Sequence, residues 1–309
     1  MAQRSEEFET LTYAADRGVT FWDIADIYGT RMYNATLIGR WFAQTGRRAE
    51  IFLATKFRSM DLTPGAADPM KPNSKPFYIK RQVENSLKDL QTDWIDLYYQ
   101  HRVDPEVPIE VVLETLRPYL ESGKIKYIGL SECSIEVLKR AKSVPGVGEK
   151  IVACEMEYSP FELKVETTGF VAAARELGVA IAAYSPLGRD FEPGDIHAIF
   201  PRFSEENFLK NLKLVDKFRA VASKYGATPG QMALAWIITE HPDLVPIPGT
   251  KSAERLKETA KAAEIKLSPE DVKELRTAID AAEVTGTRYP DQIGSVGQTS
   301  IPLSEWKGE

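Results

Sequence analysis

Cysteine and histidine are both scarce in this chain, at two and three among 309 residues. Cys133 and Cys154 each lie in or beside an apolar run, so they read as reduced core thiols, and neither a disulfide framework nor a metal site is expected. Positive charge is not in excess either. Thirty-nine lysines and arginines face 45 aspartates and glutamates, a net charge of −6 that argues against nucleic acid or an anionic membrane as main partner. No apolar run approaches the ~18 residues of a membrane span. The first ten residues hold two adjacent glutamates, Glu6 and Glu7, and no apolar stretch. They do not read as a secretory or transit sequence, and the cytoplasm is the expected location. A repeat of solenoid period, a low-complexity tract and a Pro/Gly-rich linker are all lacking, so residues 1–309 are expected to form one domain. What remains is an ordinary globular composition, 43% hydrophobic and 27% charged, with enough apolar material for a large core.

Short apolar or β-branched runs recur along the chain and predict strands at 19–25, 51–57, 95–100, 127–131, 151–157, 179–185 and 244–248. Runs such as IFLATKF and VAIAAYS are apolar almost throughout, as strands buried on both faces are. Between them lie segments of helical period, at 79–90, 109–120, 135–141, 170–177, 209–225 and 229–240, and an opening helix at 6–17. Within 79–90, Val83, Leu87 and Leu90 share one face with charges opposite. Ser268 followed by Pro269 marks a further helix start. Alternating strands and helices predict a parallel sheet and an α/β fold, a (β/α)8 barrel of TIM type. Such a barrel needs eight strands; seven are counted, and the first expected strand is the one not found. An open doubly wound sheet is the alternative, but the glycine fingerprint it would use for a dinucleotide is lacking. The proline-rich stretch 61–76 predicts a long loop at the carboxyl face.

Active sites of parallel barrels sit at the carboxyl ends of the strands. Those ends offer Asp23, Tyr28, Lys56 and His101. Reduction of a carbonyl needs an acid that protonates the developing alkoxide. A phenol with its ordinary pKa of ~10 is a poor donor near pH 7 unless a cation stabilises the phenolate. Lys56 is placed to be that cation, Asp23 to hold the ammonium, and His101 to orient the carbonyl oxygen. Taken singly, each has a plainer reading: a snorkelling lysine, a packing tyrosine, a satisfied core histidine. His197 and His241 read as loop residues. Trp22, Phe57 and Tyr99 read as core before they read as walls of a substrate pocket.

The motifs DIADIYG, FLATKF, LYYQHR, GLSE, EYSPF, YSPLGR and IPGTK follow one another over residues 6 to about 278. In that order and spacing the chain resembles the aldo-keto reductase superfamily. PRF-x-x-ENF-x-x-N (201–211), GATPGQMALAW (226–236) and the sequence around Arg288 and Tyr289 are similar to its aryl-alcohol and perakine-type branch. The resemblance implies an NADP-dependent oxidoreductase acting on aldehydes or ketones, with Asp23, Tyr28, Lys56 and His101 as tetrad and Tyr28 as proton donor. It also implies a cofactor site. Ser131 would meet the nicotinamide carboxamide, Tyr184 would stack on the ring, and Ser185, Leu187 and Gly188 would approach the pyrophosphate. Gly249, Thr250, Lys251, Ser252 and Arg255 would surround the 2′-phosphate. Donors and positive charge at a helix start suit a phosphate, which favours NADPH over NADH.

Several positions differ from the family pattern. The glycine-bearing first strand is not found, and the segment after YSPLGR, at 190–193, is short. Ile24 stands for a threonine and Ala35 for a glutamate. Glu155 stands where a glutamine usually meets the carboxamide; an ionised carboxylate accepts from the amide NH2 but cannot donate to its carbonyl. A second function therefore stays open at this point: an NADPH-binding regulatory subunit, or a pseudoenzyme without turnover. The loops at 58–77 and 284–306, expected to line a substrate pocket, carry no motif that names the carbonyl substrate.

Overall fold

The computed structural model describes residues 2–25, 33–57, 71–188, 200–289 and 297–308. They fall into two compact units, one of residues 1–155, 170–180 and 296–309 and the other of residues 156–169 and 181–295. Seven strands occur among the described residues: β1 (Phe21–Asp23), β2 (Phe52–Phe57), β3 (Ile95–Gln100), β4 (Ile125–Ser131), β5 (Ile151–Glu157), β6 (Ala180–Tyr184) and β7 (Leu244–Ile247).

The first unit carries β1 to β4 and β5 as far as Glu155, in chain order, each pair parallel. Between them run α1 (Ala2–Asp16), α2 (Tyr33–Thr45), α3 (Pro76–Asp89), α4 (Ile109–Glu121) and α5 (Ile135–Lys142), with α7 (Phe170–Glu176) also in this unit. Every residue of β3 is buried, as continuous apolar runs in a covered parallel sheet require. The sheet's inner face packs Ala54, Leu97, Tyr99 and Ala153. Behind β1, Trp22 packs on Trp41 and Phe42, with ring centroids 4.9 and 6.3 Å away. Gly129 is required by a close approach: a Cβ there would lie 2.3 Å from the ring of Tyr99.

The second unit pairs β6 with β7, in parallel, from Ile181 opposite Leu244 to Tyr184 opposite Ile247. It also holds α6 (Lys164–Thr167), α8 (Glu205–Lys224), α9 (Pro229–Glu240), α10 (Ala253–Ala260) and α11 (Pro269–Asp280). Thr228 and Gln231 form a reciprocal capping box at the start of α9, with Pro229 in its first turn. Buried Trp236 of α9 stacks on Tyr158 at 5.8 Å. Ser268 caps α11 as its sequence predicts.

Several element boundaries differ from expectation, among them the starts of α1 at Ala2 instead of residue 6, of α3 at Pro76 instead of 79 and of β4 at Ile125 instead of 127. β1 covers Phe21–Asp23 instead of 19–25, because only these residues pair in full register with β2. α8 begins at Glu205 instead of residue 209, because the Ser204 hydroxyl accepts the Asn207 N–H and starts the helix a turn earlier. His241 lies just after α9 and outside any helix or strand, as expected, and its Nε2 lies 2.7 Å from Glu166 Oε1. His197 and most of the expected loop at 61–76 lie outside the described residues. Cys133 and Cys154 are free and buried, with sulfurs 3.9 Å apart. Among the described residues no helix is long and apolar enough to cross a membrane.

Candidate active site

Residues in matching register on parallel strands share a face, and every second residue returns to it. Asp23 is paired with Ala54, Lys56 with Tyr99, Tyr99 with Gly129, and Ser131 with Glu155. Asp23, Lys56, Tyr99, Ser131 and Glu155 therefore project from one face of the first unit's sheet, at or near the carboxyl ends of five successive strands. His101 follows Tyr99 by two residues, just past β3. Tyr28 lies outside the described residues.

A bulge decides which β5 residue joins this set. Ile128 pairs with Ile151, but Gly129 pairs with Ala153, so one extra β5 residue is accommodated. Without that slip Ser131 would face Cys154, and Glu155 would turn to the other side of the sheet.

The Lys56 side chain is fully buried. Its ammonium donates to Asp23 Oδ1 and, at 3.1 Å, to the carbonyl of Ile24. Glu155 Oε2 lies 3.0 Å away, an ion pair without hydrogen-bond alignment. The ring of Tyr99 stands 5.6 Å from the ammonium, centroid to nitrogen.

Burial shapes the electrostatics. It pushes the Asp23 carboxyl up, against the pull of Lys56. It raises Glu155 to about 7, with Lys56 opposing and Asp23 adding to the rise. His101 is held well below its ordinary value by burial first and then by Lys56 and Arg102. Its ring is neutral at pH 7 and so keeps one donor and one acceptor nitrogen. The Tyr99 phenol is pushed well above 10 by burial and by the Asp23 and Glu155 carboxylates, so it stays protonated. Asp23 Oδ2, the Tyr99 hydroxyl and His101 Nδ1 find no hydrogen-bond partner among the described residues. Buried polar atoms left in this way are rare in finished cores, and their clustering fits a site completed by a polar ligand.

Taken separately, the residues of each unit fit parts of a pyridine nucleotide. In the first unit Ser131 and Glu155, both buried, lie side by side with a hydroxyl and a carboxyl for an amide. In the second unit, residues 185–188 form a turn at the end of β6. Ser185 (φ 50) and Gly188 (φ 78) are both left-handed, and the Gly188 N–H donates to the Ser185 carbonyl at 2.9 Å. A side chain at Gly188 would strike Phe161 at 2.7 Å. Left-handed backbone at a non-glycine residue such as Ser185 is costly and clusters at ligand sites. The end of β7 leads through Gly249 and Thr250 to α10. A Cβ at Gly249 would meet nothing within 4 Å, and Lys251 and Arg255 are exposed beside the first turn of α10. Ser252 caps that helix by accepting the Arg255 N–H at 3.3 Å, and its hydroxyl donates to Glu254. Leu187 lies within the β6 turn and Tyr184 at its start.

Two contacts escaped the sequence reading. Arg102 Nη1 donates to Ser131 Oγ at 3.2 Å and to the carbonyl of His101 at 3.0 Å. Arg288 Nη2 donates to the Tyr184 hydroxyl at 2.8 Å while its Nε donates to buried Glu157 at 2.8 Å. LYYQHR does place Arg102 beside His101, but nothing local ties Arg288 to a tyrosine 104 residues earlier. Trp22, Phe57 and Tyr99 are all buried core residues.

A parallel β/α chain with a buried ammonium, carboxylates and a neutral imidazole at its strand ends defines an acid–base site of barrel-enzyme type. The sequence matches the Aldo/keto reductase family over residues 2–280, and the chain belongs to that family and to its (β/α)8 barrel fold class. It is 47% identical over 298 residues to the aldo-keto reductase yakc of Schizosaccharomyces pombe, whose name carries NADP(+), covering 92% of this chain and 86% of that protein. It is 43% identical to the aldo-keto reductase str7 of Strobilurus tenacellus, covering 92% and 84%. Among solved structures, a thermostable aldo-keto reductase in complex with the inhibitor epalrestat superposes with a TM-score of 0.71. That match is 30% identical and covers 90% of this chain and 89% of the other.

Proposed function

We propose that this aldo-keto reductase takes NADPH and reversibly reduces an aldehyde or ketone to the alcohol, with Tyr28 as proton donor. The observation that carries the reading is the buried Lys56 ammonium on Asp23, beside a neutral His101, at the ends of β1 to β3. A cation fixed in a dry site lowers the pKa of a neighbouring phenol far more than it would in water. Asp23 orients the ammonium, and the neutral imidazole of His101 donates to the carbonyl oxygen and shares its growing charge. The chemistry NADPH supplies when bound is a hydride for the carbonyl carbon. Ser131 and Glu155 serve the nicotinamide amide, Tyr184 its ring, Ser185, Leu187 and Gly188 the pyrophosphate. Gly249, Thr250, Lys251, Ser252 and Arg255 receive the 2′-phosphate. The preference for NADPH is supported by the name of the Schizosaccharomyces pombe relative and by the exposed Lys251 and Arg255 at the start of α10. We read residues 1–309 as one catalytic domain, acting in the cytoplasm on a small-molecule carbonyl.

Tyr28→Phe tests the reading. Turnover of an aldehyde should fall by roughly 10²-fold or more, with NADPH affinity nearly unchanged, as loss of a general acid requires. Equal rates in the two proteins would end the proposal.

A further inference from the structure

The family pattern has a glutamine at the position of Glu155, and the carboxylate here does something a glutamine cannot. Its Oε2 stands 3.0 Å from the Lys56 ammonium, which also donates to Asp23. Three strands thus contribute to one charge cluster: Asp23 from β1, Lys56 from β2 and Glu155 from β5. All three side chains are 5% exposed or less, so solvent does little to screen them. The bulge between Ile128 and Gly129 is what turns Glu155 toward this face.

We propose that Glu155 is a positioning residue that shares the Lys56 ammonium with Asp23, holding the cation between two carboxylates and tuning how strongly it acts on the proton donor. The inference rests on the reductase reading above, in which Lys56 acidifies Tyr28. The cluster bears one cation against two acids, so in water-free surroundings the second acid retains a proton readily. Burial accordingly raises Glu155 to about 7, so the cluster changes charge near neutral pH. Facing Glu155 are Lys56 of β2, Asp23 of β1, the Tyr99 phenol of β3, Ser131 of β4 and Arg102 beyond β3. Of these, Lys56 and Arg102 favour its ionisation and Asp23 opposes it. Once ionised, Glu155 offsets part of the Lys56 field, and the donor phenol becomes less acidic. Protonated, it leaves Asp23 alone on the ammonium.

The first test needs neither cofactor nor substrate. With lysine side chains labelled with 13C, the Cε signal of Lys56, assigned by Lys56→Arg, should shift through a step centred near pH 7 in the wild-type protein. Glu155→Gln, nearly isosteric, should abolish that step; an identical titration in both proteins would overturn the proposal. Should Glu155→Gln fail to fold, Glu155→Asp decides instead. It retracts the carboxylate by a methylene, so the step should move in midpoint, and an unmoved step counts against the idea.

The second test uses the loaded enzyme. Glu155→Gln should shift the alkaline limb of the carbonyl-reduction kcat profile down by about one pH unit. A changed Kd for NADPH with an unmoved pH profile would make Glu155 a carboxamide contact only and refute the positioning role. If the wild-type protein reduces no carbonyl, the reductase reading fails by itself, and the lysine titration still decides whether Glu155 governs Lys56.

Discussion

The guanidinium of Arg288 donates to the hydroxyl of Tyr184 at 2.8 Å and, through its other edge, to the buried carboxylate of Glu157 at 2.8 Å. One side chain thereby ties the sequence near the carboxyl end to the aromatic ring that closes β6. The Tyr184 hydroxyl also lies 3.3 Å from that of Tyr289, and the Arg288 guanidinium stands 5.3 Å from the Tyr289 ring.

Arg288→Ala should therefore act on two quantities at once. Glu157 is 1% exposed, and losing a close partner of a buried charge costs about 3 kcal/mol. Urea unfolding at pH 7 should show that loss. If Tyr184 stacks on the nicotinamide, its untethered ring should weaken NADPH binding about tenfold, read by fluorescence titration. A double-mutant cycle with Glu157→Gln should show strong non-additivity; strictly additive losses would mean that the 2.8 Å contact contributes nothing.

Glu155 also makes a stability prediction. Its folded pKa, about 7, stands above the ordinary glutamate value of 4.5, so the native chain binds more protons than the unfolded one between those values. Stability contributed by this group is then greatest below pH 4.5 and falls as pH rises to about 7, by on the order of 3 kcal/mol. His101 works in the opposite direction, since its lowered pKa makes the unfolded chain the better proton acceptor below about 6.5. The difference between wild type and Glu155→Gln isolates the carboxylate. The variant should gain on the wild type as pH rises from 5 to 8 in urea titrations, and a constant gap would contradict the prediction.

Glu166 is the reverse case. Burial works upward on its carboxyl, but hydrogen bonds from His241, Arg276 and Tyr158 outweigh it and bring it down to about 2. A lowered acid stabilises the fold above its unfolded pKa and loses that contribution as pH falls, here from 4.5 toward 2. Arg276→Ala removes the contact at 2.8 Å. It should cost about 1–2 kcal/mol at pH 7, allowing for partial solvent screening, with the gap to wild type closing in acid. Chemical unfolding at pH 7 and pH 3 checks the sign.

Gly129→Ala tests the packing beneath the site. The new methyl would meet the Tyr99 ring at 2.3 Å, and Tyr99 is fully buried. Overpacking of this kind costs typically about 1–3 kcal/mol. Because the Tyr99 ring stands 5.6 Å from the Lys56 ammonium, relief of the clash should also displace the cation and slow turnover. A variant with full activity and unchanged thermal midpoint would show that the ring yields freely.

Much of this was legible in sequence because its causes are local. LYYQHR reads as a buried strand ending at a histidine, since a run of apolar side chains fixes both the strand and the polar residue that terminates it. FLATKF likewise put Lys56 at the end of β2, and Asp23 at the end of β1 followed in the same way. The start of α8 was misplaced by four residues, because a single serine hydroxyl on an N–H outweighed the apolar pattern. Glu155 was assigned from its position in a motif. Its motif did not reveal the ammonium, because that depends on one extra residue in β5.

The sequence alone determined the order of the strands, the extent of α9, the capped start of α11, and the kinds of side chain available at the strand ends. Each of these depends on neighbours within about a turn of helix or a few residues of strand. The tertiary structure decided which of those side chains meet: Glu155 with Lys56, Arg102 with Ser131, Arg288 with Tyr184. Register and packing bring such pairs together from 29 to 104 residues apart in two of these cases. Charge in a dry interior then depends on the assembled neighbours rather than on residue type, which is why Glu155 and Glu166, the same amino acid, are displaced in opposite directions.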